Sequence, residues 1–328
     1  MEKIWQSVVV VIPIIFVLFF GYYAGRRNAF GSGPGPLQTL NKLTLNYALP
    51  ASLFVGTVTV NRSQLIQEFP VFLALLVAMV GAFAIVFVIA RFVFKRTIIT
   101  ASLQAMAISM SAGPFYGPAL LAPVYGATSS MAVSIASIVL NVFLVPIGTV
   151  MLKYGQRGNA LSADGQGDQA STLSIIGHSL YQAFFKTPLV TASVIGFIFV
   201  LIGIPVPAVV DSSLSLIGQA TAGVAVFICG LTLANNKLVL GLEVWLNFAL
   251  KNLVVPMIFA GVALLLGMKL GSVGFGEGLL LAALPTAPLV VLFSHDYNEY
   301  QSRASATLAL TTVGMIVTIT AMILFLQP

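Results

Sequence analysis

The chain has 328 residues, of which 59 % are hydrophobic and 7 % charged, with a formal net charge of +6. A soluble domain carries about 25 % charged residues, so this composition excludes a water-soluble globular protein and makes lipid the solvent for much of the surface. The mean hydropathy of +1.03 agrees, and the single cysteine, Cys229, sits inside an apolar run and excludes an intramolecular disulfide or a cysteine-built zinc site.

A helix needs about 20 apolar residues to cross the hydrocarbon core, and counting such runs predicts about ten spans. The first, Ile4–Ala24, is too long for the apolar core of a leader peptide. It is followed by Arg26 and Arg27 rather than by a small-residue cleavage site, so it is read as a membrane span. The others are expected at Leu37–Val58, Phe69–Phe92, Ile98–Tyr125, Thr128–Leu152, Pro188–Gly203, Ser212–Ala234, Leu246–Gly267, Gly276–Phe293 and Ala304–Leu326. Residues 154–175 are polar and glycine-rich, and read as a connector. Ile176, Leu180 and Phe184 follow at four-residue spacing, which suggests a short interfacial helix before Pro188.

The basic residues set the orientation. Arg26, Arg27, Arg91, Lys95, Arg96, Lys153, Arg157, Lys186, Lys237, Lys251 and Arg303 fall on one side of this arrangement, and only Lys3, Arg62 and Lys269 on the other. The basic side is expected to be cytoplasmic, which puts both termini outside. The expected fold is therefore an all-α membrane protein of two inverted five-helix repeats, residues 1–153 and 176–328. An internal repeat is weakly visible, since Gly56 leads to Asn61 in span two as Gly230 leads to Asn235 in span seven.

Spans four and nine carry the chemistry. Span four contains Ser111-Ala112-Gly113-Pro114-Phe115-Tyr116-Gly117-Pro118, and span nine contains Pro285-Thr286-Ala287-Pro288. Two prolines this close remove backbone donors and break a helix. Broken backbone at membrane depth is tolerated only inside protein or along a polar cavity. Paired interruptions in two halves point to a transporter's binding site. New half-helices are expected to begin near Gly117 and Ala287, each offering free N–H groups and a positive dipole end to an anion.

Lys42, Lys251, Glu277, His295 and Asp296 all fall near predicted span ends, so no buried carboxylate relay is evident. The candidate substrate contacts are neutral: Asn46 and Tyr47, Thr57, Ser111, Tyr116, Asn141, Gln219, Thr221 and Thr286. With them go the backbone of Gly113, Gly117 and Ala287 and the prolines Pro114, Pro118, Pro285 and Pro288. The glycine-rich Gly31–Pro36 reads as a turn, no Walker sequence supports ATP-driven pumping, and no catalytic or metal-ligating constellation is present. No organic cofactor is expected, with proton or sodium coupling left open. A channel would be expected to show charge rings or a filter repeat. An enzyme or sensor would need reactive residues at depth or a soluble domain.

The runs Gly21-Tyr22-Tyr23-Ala24-Gly25-Arg26-Arg27 and Asn46-Tyr47-Ala48-Leu49-Pro50-Ala51-Ser52-Leu53-Phe54 resemble the auxin efflux carrier family. So do Gly223-Val224-Ala225-Val226-Phe227, Gly230-Leu231-Thr232-Leu233, and Ala282-Ala283-Leu284-Pro285 with Tyr297. The resemblance implies a ten-span, elevator-type carrier of organic anions, with spans one, two, six and seven as scaffold and the rest as transport domain. It implies substrate at a crossover of spans four and nine, carried here by Pro114, Pro118, Pro285 and Pro288 with Asn141. Many relatives have an asparagine before the first break, where this chain has Ser111-Ala112-Gly113. The short connector is similar to that of bacterial members, which carry small mono- and dicarboxylates such as malonate, malate or oxalate. That implies residence in a bacterial inner membrane, in contact with lipid and the anion but not nucleic acid, with a homodimer left open.

Overall fold

Apolar runs of helical length with few charges leave the backbone no partner but itself, and the described residues are almost all helical. The computed structural model describes residues 2–31, 35–58, 68–126, 129–163, 178, 181–182, 184–235 and 240–326. In the first half the helices are α1 (Glu2–Arg26), α2 (Gly35–Leu43), α3 (Leu49–Val58), α4 (Phe69–Val88), α5 (Ile98–Ser109), α6 (Gly113–Tyr125), α7 (Ser129–Ile138) and α8 (Val145–Ala163). The second half has α9 (Pro188–Ile202), α10 (Ala208–Asn235), α11 (Leu242–Ala249), α12 (Val255–Leu265), α13 (Val273–Ala283), α14 (Leu289–Asp296) and α15 (Gln301–Leu326). π-helical turns at Thr44–Ala48, Ile89–Val93, Val139–Leu144 and Leu250–Val254 join or extend helices without a break.

Among the described residues, five helical stretches are long and apolar enough to cross a membrane: Phe69–Val93, Met131–Gly158, Ala208–Ala234, Leu242–Leu265 and Gln301–Leu326. Shorter apolar helices cover Ile15–Arg26, Ile98–Ser109, Pro188–Ile202 and Val273–Ala283. Large side chains such as Phe92, Leu216, Met257, Leu265 and Phe325 stand exposed on the outer surface, which suits contact with lipid tails.

Local chemistry sets several ends. Thr97 caps α5 by accepting the Thr100 N–H at 3.1 Å, and Ser272 caps α13 by accepting that of Phe275 at 3.4 Å. Gly203 ends α9 with φ +78°, a left-handed conformation that glycine adopts without strain.

The closest packing joins α1 with α10 and α3 with both α9 and α10, and α4 with α5 and α12, α5 with α8, and α11 with α15; α15 also packs against α1 and α10 and so links the two groups. The α1–α10 crossing is unusually close. A Cβ on Gly21 would stand 2.2 Å from the Phe227 carbonyl oxygen, and one on Gly230 would stand 2.1 Å from that of Leu18. Only glycine allows backbones to meet at that distance.

Two expectations are corrected here. Helix α8 continues through residue 154 to Ala163, so the first part of the expected connector is helical, while residues 164–175 lie outside the described set. The eighth span begins at Leu242 rather than Leu246, so Lys251 lies deeper than its sequence position suggests. Asn61, and Ile176 and Leu180 of the expected interfacial helix, also lie outside the described residues.

Candidate functional site

Helix α5 stops at Ser109 because Met110 turns to extended backbone (φ −79°, ψ 104°). Helix α13 stops the same way at Leu284 (φ −57°, ψ 151°), the residue before Pro285. A proline disfavours the helical conformation in the residue preceding it, which explains that stop. The two extended stretches meet as an antiparallel bridge between Ser111 and Thr286. Ala112 N–H donates to the Pro285 carbonyl and Ala287 N–H to the Met110 carbonyl, both at 2.9 Å.

The side chains repeat this exchange. Ser111 Oγ donates to the Ala282 carbonyl at 3.2 Å, and Thr286 Oγ1 to the Ala107 carbonyl at 2.6 Å. Those carbonyls belong to the last turns of α13 and α5, where helices leave acceptors without internal partners. The Thr286 N–H donates to Thr311 Oγ1 at 3.3 Å, which ties in α15.

A lysine completes the cluster. Lys251, in the π-helical turn between α11 and α12, is 0 % exposed. Its Nζ donates to Ser111 Oγ at 2.5 Å and to the Ala282 carbonyl at 3.0 Å. Among the described residues the ion pairs are those of Glu243 with Arg96 and Arg303, so no carboxylate lies within ion-pair distance of Lys251. From sequence Lys251 is expected near a span end, and its full burial corrects that expectation. The signal is slight: a helix starting after Gly241 places Lys251 more than two turns inside, but a single glycine marks that start.

Beside this crossover, at the first turn of α6, lies a cavity of about 270 Å³. It is lined by Pro114 and Phe115 from α6, Ser52, Val55 and Gly56 from α3, and Ser215 and Gly218 from α10. Pairing within the crossover leaves the Gly113 N–H without a partner among the described residues, at the positive end of the α6 dipole. Gly113 itself is buried and is not among the residues that line that cavity, and the head of α14 is closed as well. Ala287, Leu289 and Val290 are all buried.

The expected contacts separate accordingly. Ser111, Pro285, Thr286 and Ala287 form the crossover, and Pro114 faces the cavity. Gly113 and Gly117 pack α6 tightly: a Cβ on Gly113 would be 3.1 Å from Ala136 Cβ, and one on Gly117 3.0 Å from Val133. Pro288 caps α14. Helix α6 begins at Gly113, not near Gly117, so Pro118 lies inside the helix rather than at the break. The Ala287 N–H, expected to be free for an anion, is used by Met110.

Tyr116, Asn141 and Thr221 are buried, and Tyr116 Oη, Asn141 Oδ1 and Thr221 Oγ1 have no protein hydrogen-bond partner among the described residues. Asn46 and Tyr47 instead line an apolar groove with Pro50, Phe54, Ile195 and Ile217. Thr57 is satisfied by the Leu53 carbonyl at 2.7 Å and packs against Gly196 of α9, away from the crossover. The side chains of Pro118 and Gln219 lie outside the described set. Ser52 and Ser215 were missed. Their signal is a serine one helical turn before a glycine, in Ser52/Gly56 and Ser215/Gly218.

Residues 6–323 match the family model described as "Membrane transport protein". The chain belongs to that family. The resemblance to auxin efflux carriers is thereby borne out. "Uncharacterized transporter YfdV" of Escherichia coli (strain K12) is 34 % identical over 311 residues, covering 94 % of this chain and 93 % of that one. "Putative malonate transporter" of Rhizobium meliloti (strain 1021) is 26 % identical over 319 residues, 97 % of this chain and 95 % of that one. "Auxin efflux carrier component 6" of Arabidopsis thaliana is 28 % identical over 160 residues, 47 % of this chain and 26 % of that protein. As a member of a family of membrane transporters, with several apolar helices of spanning length, this is a multi-pass membrane protein.

Proposed function

We propose that this membrane transport protein is a secondary carrier of small organic anions, with mono- or dicarboxylates such as malonate, malate or oxalate as substrates. The cavity at the head of α6 carries this reading. It is small, partly lined by the hydroxyls of Ser52 and Ser215, and lies at the first turn of α6, whose positive dipole end suits a carboxylate. The name of the Rhizobium relative points to the same substrate class.

The reciprocal bonds of Ser111 and Thr286 favour two inverted five-helix halves whose fourth and ninth spans break where they meet. The close packing of α1 with α10, and of α3 with α9 and α10, favours a scaffold against which the remaining helices move as an elevator. The bias of Lys and Arg favours termini outside the cytoplasm of a bacterial inner membrane.

The test is counterflow in proteoliposomes holding purified protein and excess unlabelled malonate, malate or oxalate. A carrier gives a transient overshoot of labelled substrate, and a cationic amine gives none. Simple equilibration without overshoot would identify a channel instead.

A further inference from the structure

The Lys251 amine is fully buried and uses two oxygens of the crossover, a hydroxyl and a carbonyl in the last turn of α13. That carbonyl stands at the negative end of the α13 dipole. Hydroxyls and unwound-helix carbonyls are also the oxygens with which carriers hold a free coupling cation. A buried charge with no counter-charge is unfavourable, and such residues at membrane depth belong to substrate or ion pathways. Ser111, which Lys251 contacts, is three residues before Pro114, which lines the cavity at the head of α6.

On these grounds, and resting on the carrier reading above, we propose that Lys251 is a tethered cation. It occupies oxygens that a free monovalent cation would otherwise take, and anion transport by this protein requires no sodium. Lys251 is then a positioning residue. It acts on the anion through Ser111 and through the field at the crossover. The amine cannot dissociate, so the crossover keeps its cation with or without substrate.

Two consequences separate this role from simple packing. Wild-type exchange is indifferent to the bulk cation. Removing the amine creates a demand for a replacement cation, which an uncharged structural side chain would not do.

The experiment is malonate counterflow in proteoliposomes at fixed ionic strength in sodium, potassium or choline chloride. The wild type should exchange at rates within about twofold across the three salts. Lys251→Met, which keeps the volume but not the charge, should lose at least tenfold in all of them. Lys251→Ala, which leaves room, should be equally impaired in choline and should recover several-fold when sodium, lithium or methylammonium is added. A wild type that falls tenfold in choline overturns the proposal, as does full activity of a well-folded Lys251→Met. If both variants fail to fold, the wild-type salt series decides alone. A wild type that exchanges no carboxylate in any salt instead removes the carrier reading on which the proposal rests.

Discussion

Ser111 and Thr286 make the same bond in opposite directions. Each donates its hydroxyl to a carbonyl four residues before the other, Ser111 to Ala282 and Thr286 to Ala107. A buried acceptor left unpaired costs about 1–3 kcal/mol. Thr286→Val keeps the shape and removes the donor, and should lower the melting temperature by several degrees. Thr286→Ser should restore most of it. Ser111→Ala should be worse than Thr286→Val because it also deprives Lys251 of an acceptor. Thermal unfolding in detergent, with and without malonate, reads both effects. Wild-type stability in Thr286→Val would mean that the bridge is held by its backbone bonds alone.

The prolines now divide into two classes. Pro114 lies in the first turn of α6 and Pro288 caps α14, whereas Pro118 lies one turn further inside α6. Only in a helix continued across the gap would Pro114 and Pro288 be interior, and there alanine supplies the missing N–H and favours helix by about 3 kcal/mol per site. In that double variant the helices should begin to close across the gaps, and malonate affinity should fall at least tenfold with insertion unaffected. Pro118→Ala, like Pro13→Ala within α1, should change affinity by less than threefold. Isothermal titration of the purified variants distinguishes the classes. A large loss from Pro118→Ala alone would return that residue to the site.

The apolar helices were legible because each run is apolar over helical length, and five of them are long enough to span among the described residues; the stops at Met110 and Leu284 lie just before the paired prolines of each segment. Lys251 was not legible as a buried cation. Its depth depends on where α11 starts, and the turn at Gly241 carries little more than one glycine as a signal. The loss of the Ala287 N–H to Met110 is a pairing between distant segments, which local spacing cannot reveal. Asn46 misled for a related reason. A polar residue in an apolar run can face the crossover or an outer groove, and the π-helical turn at Thr44–Ala48 shifts the register that would decide between them.

The glycines of α1 and α10 permit a test of close packing. An added methyl on Gly21 or Gly230 would meet a backbone carbonyl, which cannot rotate away as a side-chain end can. Overpacking of this kind costs about 1–3 kcal/mol. Gly230→Ala should therefore lower the yield of monodisperse protein and its melting temperature, whereas Gly223→Ala in the same helix, with open space at its Cβ, should be neutral or slightly stabilising. Size-exclusion profiles and melting curves check this, and equal behaviour of the two variants would show that the helices can part at little cost.

The last prediction concerns the charged network where the starts of α5, α11 and α15 meet. Glu243 accepts from Arg96 at 2.7 Å, from Arg303 at 3.2 Å and from the Tyr300 hydroxyl at 2.7 Å. Tyr300 Oη in turn accepts from Asn247, whose amide also reaches Thr307 at 3.1 Å. Burial and the Glu243 carboxylate push the Tyr300 phenol above its ordinary range. Its raised folded value means that this stabilisation is fully present below the unfolded phenol pKa of about 10. It is lost only as pH rises through the folded value, so it should not vary between pH 6 and 9. The Arg303 side chain is 46 % exposed and Arg96 21 %, so solvent weakens both ion pairs, that of Arg303 more. Arg303→Gln should change stability by less than about 0.5 kcal/mol. Glu243→Gln leaves a buried hydroxyl and two cations with a weaker acceptor, and should cost about 1–2 kcal/mol. A double-mutant cycle of Glu243→Gln with Tyr300→Phe should give a coupling of about 0.5–1 kcal/mol, because the two share one bond. Additive losses would show that Glu243 stabilises the protein through its arginines alone.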